Sequence, residues 1–427
     1  MDGRSSSYCV IGAGTAGIAT ARRVLESGAQ VVIFEQTDRI GGTWNYTDSV
    51  GKDKYGLDIH TSMYQGLRTN LPKEVMGFQD FPIPDQEESY IRAEDVLQFL
   101  KLFVESFDLD RHVLFERHVQ LVERVEEIGK WQVQVKNLVE GQIETYLFDF
   151  VFICNGHYHT PMVPNYPNQH LFKGKQLHSH DYRSSEHFKD ETVLVIGAGP
   201  SGMDIALEVS KKASSVTISH HTKEPFKTTF PSNLGGKPDV QELTETGALF
   251  VDGSREHFTV ILYCTGYRYS FPFLGSSCEI SVEDNYVRPL YKHCININQP
   301  TMAFVGIPYY VCAAQMFDLQ ARFCLKYYTG QRNLPSKEEM LADMEEQMGH
   351  RWRQGYRRRQ AHMMGQAQSE YYTDLAKTAG LRPIQPVMAK LHNESSQRFN
   401  DNLLNFRNDI FRIVDDVTFE EVERNLC

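Results

Sequence analysis

The 427-residue sequence has no stretch of about 18 consecutive apolar residues, the length that a membrane-spanning helix needs. The longest apolar candidate, 301–317, is interrupted by Pro308 and Gln315, so we expect it to be buried core. Excess positive charge is also missing, because the net charge is -11 and nucleic-acid binding requires a basic face. We therefore expect neither a membrane anchor nor a nucleic-acid partner.

Cysteine is scarce, and its eight occurrences form no C-x-x-C pair, the spacing typical of zinc and dithiol redox sites. Cys9, Cys154 and Cys264 lie in apolar, strand-like runs, where a free thiol acts as a small hydrophobic side chain. We expect reduced thiols and no metal. No signal peptide precedes the first predicted strand, so we expect a soluble cytoplasmic protein, or a secreted one if such a peptide has been removed.

Two glycine-rich segments of the form G-x-G-x-x-G begin at Gly12 and at Gly197. Each follows an apolar strand and opens a helix, as in the β-α-β unit that binds a dinucleotide. Two such units in one chain imply two nucleotide cofactors. The predicted elements of the two units are a strand at 8–11, a helix at 15–27, a strand at 30–34, a strand at 192–196, a helix at 202–212 and a strand at 215–219.

The first unit suits FAD or NAD. Its first glycine permits a tight turn, the second lets the backbone approach phosphates, and the third lets the helix pack against the strand. Glu35 ends the second strand, where a carboxylate accepts hydrogen bonds from ribose hydroxyls and repels a 2′-phosphate. The residues expected to contact this nucleotide are Gly12, Gly14, Thr15, Ala16, Gly17, Glu35 and Gln36.

The second unit has no acid at the corresponding place. Its second strand ends in Ser219, followed by His220, His221 and Lys223, a set that can hold a 2′-phosphate and favours NADP(H). The histidines have an ordinary pKa of about 6.5, so this preference is expected to be soft. A polar surface turn without a ligand is the alternative. The contacts expected here are Gly197, Gly199, Pro200, Ser201, Gly202, Ser219, His220, His221, Lys223, Thr265 and Gly266.

The segment 172–182 matches the pattern F-x-G-x-x-x-H-x-x-x-Y and stands just before the second glycine-rich loop. This pattern resembles the fingerprint of the flavin-containing monooxygenases. Related Baeyer–Villiger monooxygenases carry Trp at the last place, so Tyr182 favours the branch that oxidises amines and sulfur compounds. The chain looks most like the shorter soluble insect members, some of which N-oxygenate plant pyrrolizidine alkaloids. Further similar stretches lie at 39–44, 69–76, 80–82, 264–267 and 372–376.

The resemblance implies an NADPH- and O2-dependent enzyme. NADPH reduces FAD, the reduced flavin adds O2 to give a C4a-hydroperoxide, and a tertiary amine nitrogen or a sulfide attacks its distal oxygen. The cofactor does this chemistry, so no side-chain nucleophile is required. Asn70 is the expected catalytic residue, because an amide donates to the peroxide without titrating; a turn-stabilising asparagine is the alternative.

The family similarity also suggests other contacts. Phe304–Pro308 resembles the strand that returns to the flavin, so the residues after it are candidates for the substrate pocket. Two positions depart from the family pattern: Pro200 replaces an asparagine and removes one N–H from the phosphate loop, and His221 replaces an arginine. Both weaken the expectation of strict NADPH selectivity. The additional residues are Gly42, Thr43, Trp44, Thr69 and Asn70 at the flavin, and Tyr309, Tyr310, Gln315 and Met316 at the substrate.

We predict an α/β fold with two Rossmann-like dinucleotide-binding domains, the NADPH domain inserted in the FAD domain, and a helical C-terminal region. The expected ranges are 1–160 and 299–427 for the FAD domain and 161–298 for the NADP(H) domain. A homodimer is also expected, since dimers are common in the family. An NADPH-dependent flavin dehydrogenase or oxidase that releases H2O2 is the alternative, and a non-catalytic dinucleotide sensor that docks through the arginines at 351–359 is a third reading.

Other local patterns predict a helix at 92–107, strands at 119–128, 131–135, 146–153 and 259–263, and mostly helix from about residue 300. Ser336 and Glu339 form a capping-box pattern that starts a long helix. The arginine run at 351–359 is expected to be a solvated face. We expect His178 to pack between the linker and the second nucleotide domain rather than to act as an acid or base.

Overall fold

The structure is a computed structural model that describes residues 6–222, 224 and 226–423. Its α-helices are α1 (Thr15–Glu26), α2 (Ala93–Ser106), α3 (Pro200–Ser210), α4 (Ala313–Tyr328), α5 (Lys337–Arg353), α6 (Gln368–Ala379) and α7 (Pro386–Asp401). Its strands are β1 (Ser7–Ile11), β2 (Gln30–Phe34), β3 (Val113–Leu114), β4 (Arg117–Val125), β5 (Lys130–Asn137), β6 (Ile143–Phe148), β7 (Phe150–Ile153), β8 (Lys175–His178), β9 (Thr192–Ile196), β10 (Ser215–Ser219), β11 (Leu234–Lys237), β12 (Val240–Thr244), β13 (Gly247–Phe250), β14 (Arg255–His257), β15 (Val260–Tyr263), β16 (Ser281–Glu283), β17 (Tyr286–Arg288), β18 (Leu290–Tyr291), β19 (Ile295–Asn296), β20 (Met302–Phe304), β21 (Phe411–Ile413) and β22 (Phe419–Glu421).

The first sheet has the strand order β18-β19-β20-β7-β1-β2-β3 and is parallel from β20 to β3. At its centre Val10 lies opposite Ile33 of β2 and Phe152 of β7. These strands are short apolar runs that are buried on both faces, as expected for a parallel sheet covered by helices. Helix α1 follows β1 and packs against α4, so both helices lie on the same side of the sheet.

The second sheet has the order β11-β10-β9-β15-β8, and all its pairings are parallel. Every strand of this sheet comes from the chain between β7 and β18, which both belong to the first sheet. The second dinucleotide unit is therefore an insertion in the first. This arrangement confirms the predicted α/β fold with two Rossmann-like units.

The boundary expected at residue 298 for the second domain does not coincide with the division of the strands between the two sheets. Strands β18 and β19 fall within 161–298, yet they pair with β20 of the first sheet. The last strand of the second sheet along the chain is β15, which ends at Tyr263. Cys278 and Val287 also pack in the hydrophobic cluster of the first sheet, so the chain has returned to it well before residue 298.

Two predicted elements are corrected. The single strand expected at 146–153 is two strands in different sheets, since β6 pairs with β5 and β7 pairs with β1. Asp149 separates them, and its carboxylate accepts hydrogen bonds from the Ser7 N–H at 2.9 Å and the Ser7 hydroxyl at 2.7 Å. The region after residue 300 is mainly helical, but it begins with β20 and ends with the β21–β22 hairpin.

Several smaller expectations can be compared with the described residues. The Ser336 hydroxyl accepts from the Glu339 N–H at 3.2 Å, and Glu339 accepts in turn from the Ser336 N–H at 2.7 Å. The seven described cysteines are all free and buried, while Cys427 lies outside the described residues. Among the described helices, none combines the length and apolar character that crossing a bilayer requires. Arg351, expected on a solvated face, is instead buried and donates to the carbonyls of Gln360 and Met363.

Candidate cofactor-binding and active site

The two glycine-rich loops have the same geometry. Gly12 and Gly197 adopt φ angles of +102° and +107°, which favour glycine. A Cβ at Gly12 would lie 2.7 Å from the Cys154 carbonyl oxygen, and one at Gly197 would lie 2.4 Å from that of Cys264. Cys154 and Cys264 directly follow β7 and β15, so each loop crosses the carboxyl end of its neighbouring strand. Ligands of open α/β sheets bind at this edge.

The helices that follow these loops can bind phosphate. Gly14 and Gly199 are the N-caps of α1 and α3, and neither helix start has a side-chain cap among the described residues. Their first N–H groups are therefore available to an anion. Pro200 is the first residue of α3, where a missing N–H costs the helix nothing. Gly17 and Gly202 bring each helix close, because a Cβ there would lie 1.8 and 1.9 Å from the first glycine's carbonyl oxygen.

Glu35 lies at the end of β2, as predicted, and its carboxylate is buried. One oxygen accepts from the Ala13 N–H at 2.8 Å, and the other accepts from the Thr37 N–H and hydroxyl, each at 2.8 Å. Burial raises the pKa of this carboxyl, and its hydrogen bonds from the backbone of Ala13, Gln36 and Thr37 and from the Thr37 hydroxyl oppose that shift. A carboxylate accepts about four hydrogen bonds, so a ribose hydroxyl would have to share the carboxylate with these donors. Glu35 also ties the first loop to the turn after β2.

Four further residues expected at the flavin are a glycine close to the first loop, two threonines with buried hydroxyls and an asparagine. Gly42 approaches Gly14 so closely that a Cβ on it would lie 3.0 Å from the Gly14 Cα. The hydroxyls of Thr43 and Thr69 are buried without a hydrogen-bond partner among the described residues. Asn70 is exposed. Buried hydroxyls without partners are rare in native proteins, so these two residues fit donors to a bound cofactor.

The side chains of the other residues predicted at the first nucleotide site are less available to a ligand. Gln36 is half-buried, and its side-chain oxygen pairs with His118 Nδ1 at 3.0 Å. Thr15 and Ala16 are the first two residues of α1, and they can meet a phosphate only through the backbone N–H groups. Trp44 ends the short 3-10 helix Gly42–Trp44 and packs at the edge of the core.

The expected 2′-phosphate cradle is corrected in part. The Ser219 hydroxyl is buried and donates to the Pro238 carbonyl at 3.0 Å, so it cannot donate to a phosphate. The His220 ring packs on Phe226 with centroids 4.4 Å apart, and burial lowers its pKa. His221 is exposed, and Lys223 lies outside the described residues. The Ser219 hydroxyl is unavailable because it bonds the chain between β11 and β12.

The two predicted residues just after β15, Thr265 and Gly266, make hydrogen bonds within the protein. The Thr265 hydroxyl donates to the Met162 carbonyl, and the Gly266 carbonyl accepts from the Met162 N–H at 2.9 Å. Ser201 and Gly266 are exposed, as contacts to a nucleotide require.

A group of histidines lies where the segment after β7 meets the fingerprint, and only one of them was singled out from the sequence. His60 and His159 stack with centroids 4.9 Å apart, and His157 Nδ1 contacts the Gly306 carbonyl at 2.9 Å. His178 Nδ1 accepts from the His180 N–H at 3.0 Å, which agrees with its predicted packing role. Burial lowers the pKa of His60 to about 3 and of His157 and His178 to about 4. His60, His157 and His178 are therefore neutral at pH 7.

The predicted substrate residues separate into two sets. Tyr309 and Tyr310 lie on the surface beside Tyr158, and Tyr310 adopts a φ of 56°, an uncommon strain for a bulky residue. Tyr158 and Tyr310 are 46% and 44% exposed. Met316 is 0% exposed and belongs to the core, which contradicts a substrate contact. Gln315 is buried, and its side-chain oxygen has no partner among the described residues.

The fingerprint docks the inserted domain on the first one. The Arg183 side chain is buried and donates to the carbonyls of His180 at 2.7 Å, Ser49 at 3.0 Å and Thr61 at 3.2 Å. Tyr182 packs edge to face on Tyr64 with centroids 5.2 Å apart. Sequence reasoning missed Arg183, because its partners are backbone carbonyls that leave no side-chain pattern.

Two dinucleotide units, one inserted in the other and both with phosphate-ready helix starts, define the class of two-nucleotide oxidoreductases. Comparisons with known proteins narrow this class. Residues 6–225 and 230–394 match the family model described as Flavin-binding monooxygenase-like. The chain belongs to this family.

Relatives cover nearly the whole chain. The chain is 36% identical over 424 residues to "Senecionine N-oxygenase" of Tyria jacobaeae, which covers 98% of this chain and 92% of that protein. It is 37% identical over 397 residues to "Flavin-containing monooxygenase FMO GS-OX5" of Arabidopsis thaliana, covering 89% and 86%. The solved S-allyl-L-cysteine S-oxygenase from Allium sativum is 34% identical, covers 95% of both chains and has a TM-score of 0.89.

The family settles the class of reaction. The protein is a flavin-containing monooxygenase, and its relatives include N-oxygenases and S-oxygenases. FAD and NADPH are the cofactors of this family, as predicted. None of these relatives supports the dehydrogenase alternative.

Proposed function

We propose that the protein oxygenates the nitrogen of tertiary amines, with pyrrolizidine alkaloids such as senecionine as the first candidates. The observation that carries this proposal is a relative named Senecionine N-oxygenase that matches 98% of the chain. The aromatic surface formed by Tyr158, Tyr309 and Tyr310 supports it, because aromatic faces attract an amine in its cationic form.

We assign FAD to the first glycine-rich loop. The start of α1 would bind the pyrophosphate, and the Glu35 carboxylate would accept from a ribose hydroxyl in place of one of its present donors. The orphaned hydroxyls of Thr43 and Thr69 would be satisfied by the same cofactor. When bound, the flavin supplies the oxidising chemistry; the side chains bind it, orient it and exclude water.

Asn70 is the proposed catalytic residue. It follows Thr69 directly, and its exposed amide has the freedom to donate a hydrogen bond to a ligand atom beside it. An amide does not titrate, so it can donate without releasing a proton. A carboxylic acid or an imidazolium at this place would deliver a proton and favour loss of H2O2.

We assign NADPH to the second loop, with the start of α3 as the phosphate site. Ser219 leaves the proposed set, because its hydroxyl is already used. His221, Thr222 and Lys223 are then the candidates for the 2′-phosphate. We also propose that the inserted domain spans residues 161 to about 268 rather than 298, since β15 is its last strand. The homodimer and the cellular compartment stay predictions; sedimentation would test the first and tagged expression the second.

Sulfides are the second candidate substrates, since relatives include an S-allyl-L-cysteine S-oxygenase. The discriminating experiment measures NADPH consumption and H2O2 release with a pyrrolizidine alkaloid, a simple tertiary amine and an allyl sulfide at equal concentrations. We expect one N-oxide formed per NADPH with the alkaloid, and little H2O2. Oxygenation confined to the sulfide would reassign the substrate, and stoichiometric H2O2 with every compound would refute the monooxygenase assignment for this chain.

A further inference from the structure

Arg407 lies in the short 3-10 helix Phe406–Asn408, between α7 and the C-terminal hairpin. Its side chain is only 17% exposed, although the chain around it runs along the surface. Three parts of the molecule meet at its guanidinium group: the segment that carries Asn70, helix α3 of the inserted domain, and the C-terminal segment itself.

The contacts of Arg407 use both edges of the guanidinium. Nη1 and Nη2 donate to the two carboxylate oxygens of Asp204 at 2.7 and 3.1 Å. Nε donates to the Thr69 carbonyl at 3.0 Å, and Nη2 also donates to the Arg68 carbonyl at 3.2 Å. The planar fork of arginine can serve a carboxylate and two carbonyls at once, whereas a lysine ammonium cannot hold this geometry.

Asp204 connects this contact to the second nucleotide loop. It lies in the second turn of α3, two residues after Gly202. The Tyr64 hydroxyl donates to the same carboxylate, so the segment 64–69 is bound to α3 directly at Tyr64 and through Arg407 at Thr69. Asp204 is buried, and Arg407 neutralises its charge there.

A second tether acts on the residue after Thr69. The Ser395 hydroxyl of α7 donates to the Asn70 carbonyl at 3.3 Å and contacts the Tyr90 hydroxyl at 2.9 Å. The backbone on both sides of the Asn70 side chain is thus held by the C-terminal part of the chain. Among the described residues, no hydrogen bond holds the amide side chain of Asn70.

We propose that Arg407 is a positioning residue for the oxygenation reaction: it fixes the backbone of Arg68 and Thr69 relative to α3 and so sets where the Asn70 amide stands with respect to the second nucleotide. The inference rests on the proposed function, because it takes Asn70 as the catalytic residue. Without Arg407, the two nucleotide units stay folded, but the Asn70 amide is no longer held at a fixed position relative to α3.

The test is Arg407→Lys in the full-length holoenzyme, measured by hydrogen exchange and by H2O2 released per NADPH consumed. We expect faster amide exchange confined to residues 61–76 and the start of α3, with FAD content unchanged. The ratio of H2O2 to NADPH should rise by roughly fivefold, since a lysine ammonium cannot keep both hydrogen bonds to the segment together with the Asp204 pair. Asp204→Asn is the second variant, and it should show the same pattern if Arg407→Lys does not fold.

Arg412→Lys is the matched control, because Arg412 is exposed on the same C-terminal segment and pairs only with Glu420 among the described contacts. Exchange and coupling equal to the wild type in both Arg407→Lys and Asp204→Asn would overturn the proposal. So would faster exchange throughout the protein with unchanged coupling, which indicates a merely structural role. Failure of the proposed function is distinct: the wild type itself would then oxygenate none of the substrates.

Discussion

Replacing Glu35 by glutamine tests the first nucleotide site at its most constrained side chain. Each carboxylate oxygen of Glu35 faces a backbone N–H donor, that of Ala13 on one side and that of Thr37 on the other. A glutamine amide has one oxygen and one NH2 group. Either orientation of the amide therefore places an NH2 group against an N–H group and leaves one buried donor without an acceptor.

The expected cost follows from that geometry. A hydrogen bond to a charged group contributes about 1.5–3 kcal/mol, and an unpaired buried N–H costs a further ~1–3 kcal/mol. Relaxation of the turn recovers part of this, so we expect Glu35→Gln to lower the free energy of unfolding by roughly 2–4 kcal/mol. The ribose contact weakens as well, and ~1.4 kcal/mol lost there lowers FAD affinity about tenfold.

The assay is FAD bound per polypeptide after gel filtration, together with the melting temperature of the protein stripped of flavin. Glu94→Gln is the matched control, since Glu94 is an exposed residue in the first turn of α2. We expect the control to behave as the wild type and Glu35→Gln to lose flavin and melt several degrees lower. Unchanged flavin content and melting temperature in Glu35→Gln would show that the carboxylate does not hold the loop.

Three further outcomes are expected. Asn70→Ala should retain FAD but release more H2O2 per NADPH, whereas unchanged coupling would remove Asn70 from the reaction. Gly202→Ala should abolish NADPH binding while FAD stays bound, because its Cβ would lie 1.9 Å from the Gly197 carbonyl oxygen; Gly349→Ala, in an open helical position of α5, is the control. Stability should fall as the pH drops below about 6.5, because buried His178 and His293 have pKa values lowered to about 4 and about 3, so only the unfolded chain takes up their protons. Each of the two histidines lowers the free energy of unfolding by up to ~1.4 kcal/mol per pH unit below this value. A urea midpoint that does not change between pH 5 and 7.5 would contradict this expectation.

The central strands could be predicted because they are short apolar runs with clear ends. Strands at 30–34, 192–196 and 215–219 have the bounds expected from the sequence. The first and third glycines of each motif were also predictable, since a Cβ at any of them would meet a backbone oxygen of its own β-α-β unit or of the residue that follows the adjacent strand. These features depend on contacts that are local in the fold.

Residues whose role depends on distant segments could not be predicted in the same way. Arg183 and Arg407 bind backbone carbonyls from segments more than a hundred residues away, and no side-chain pattern marks such partners. Met316 is a different case. Its spacing from Cys312, Leu319 and Phe323 is that of a buried helical stripe, and this pattern was present in the sequence.

The seven cysteines that the structure describes lie out of reach of hydrogen peroxide. All seven are buried, and burial raises the pKa of Cys154, Cys264 and Cys312 to about 12. Only a thiolate reacts readily with peroxide, so these side chains remain inert when a turnover fails and hydrogen peroxide escapes. Damage accumulated during long incubations should accordingly appear as methionine sulfoxide at half-buried methionines such as Met76 and Met363, while the cysteines near both nucleotide loops stay intact.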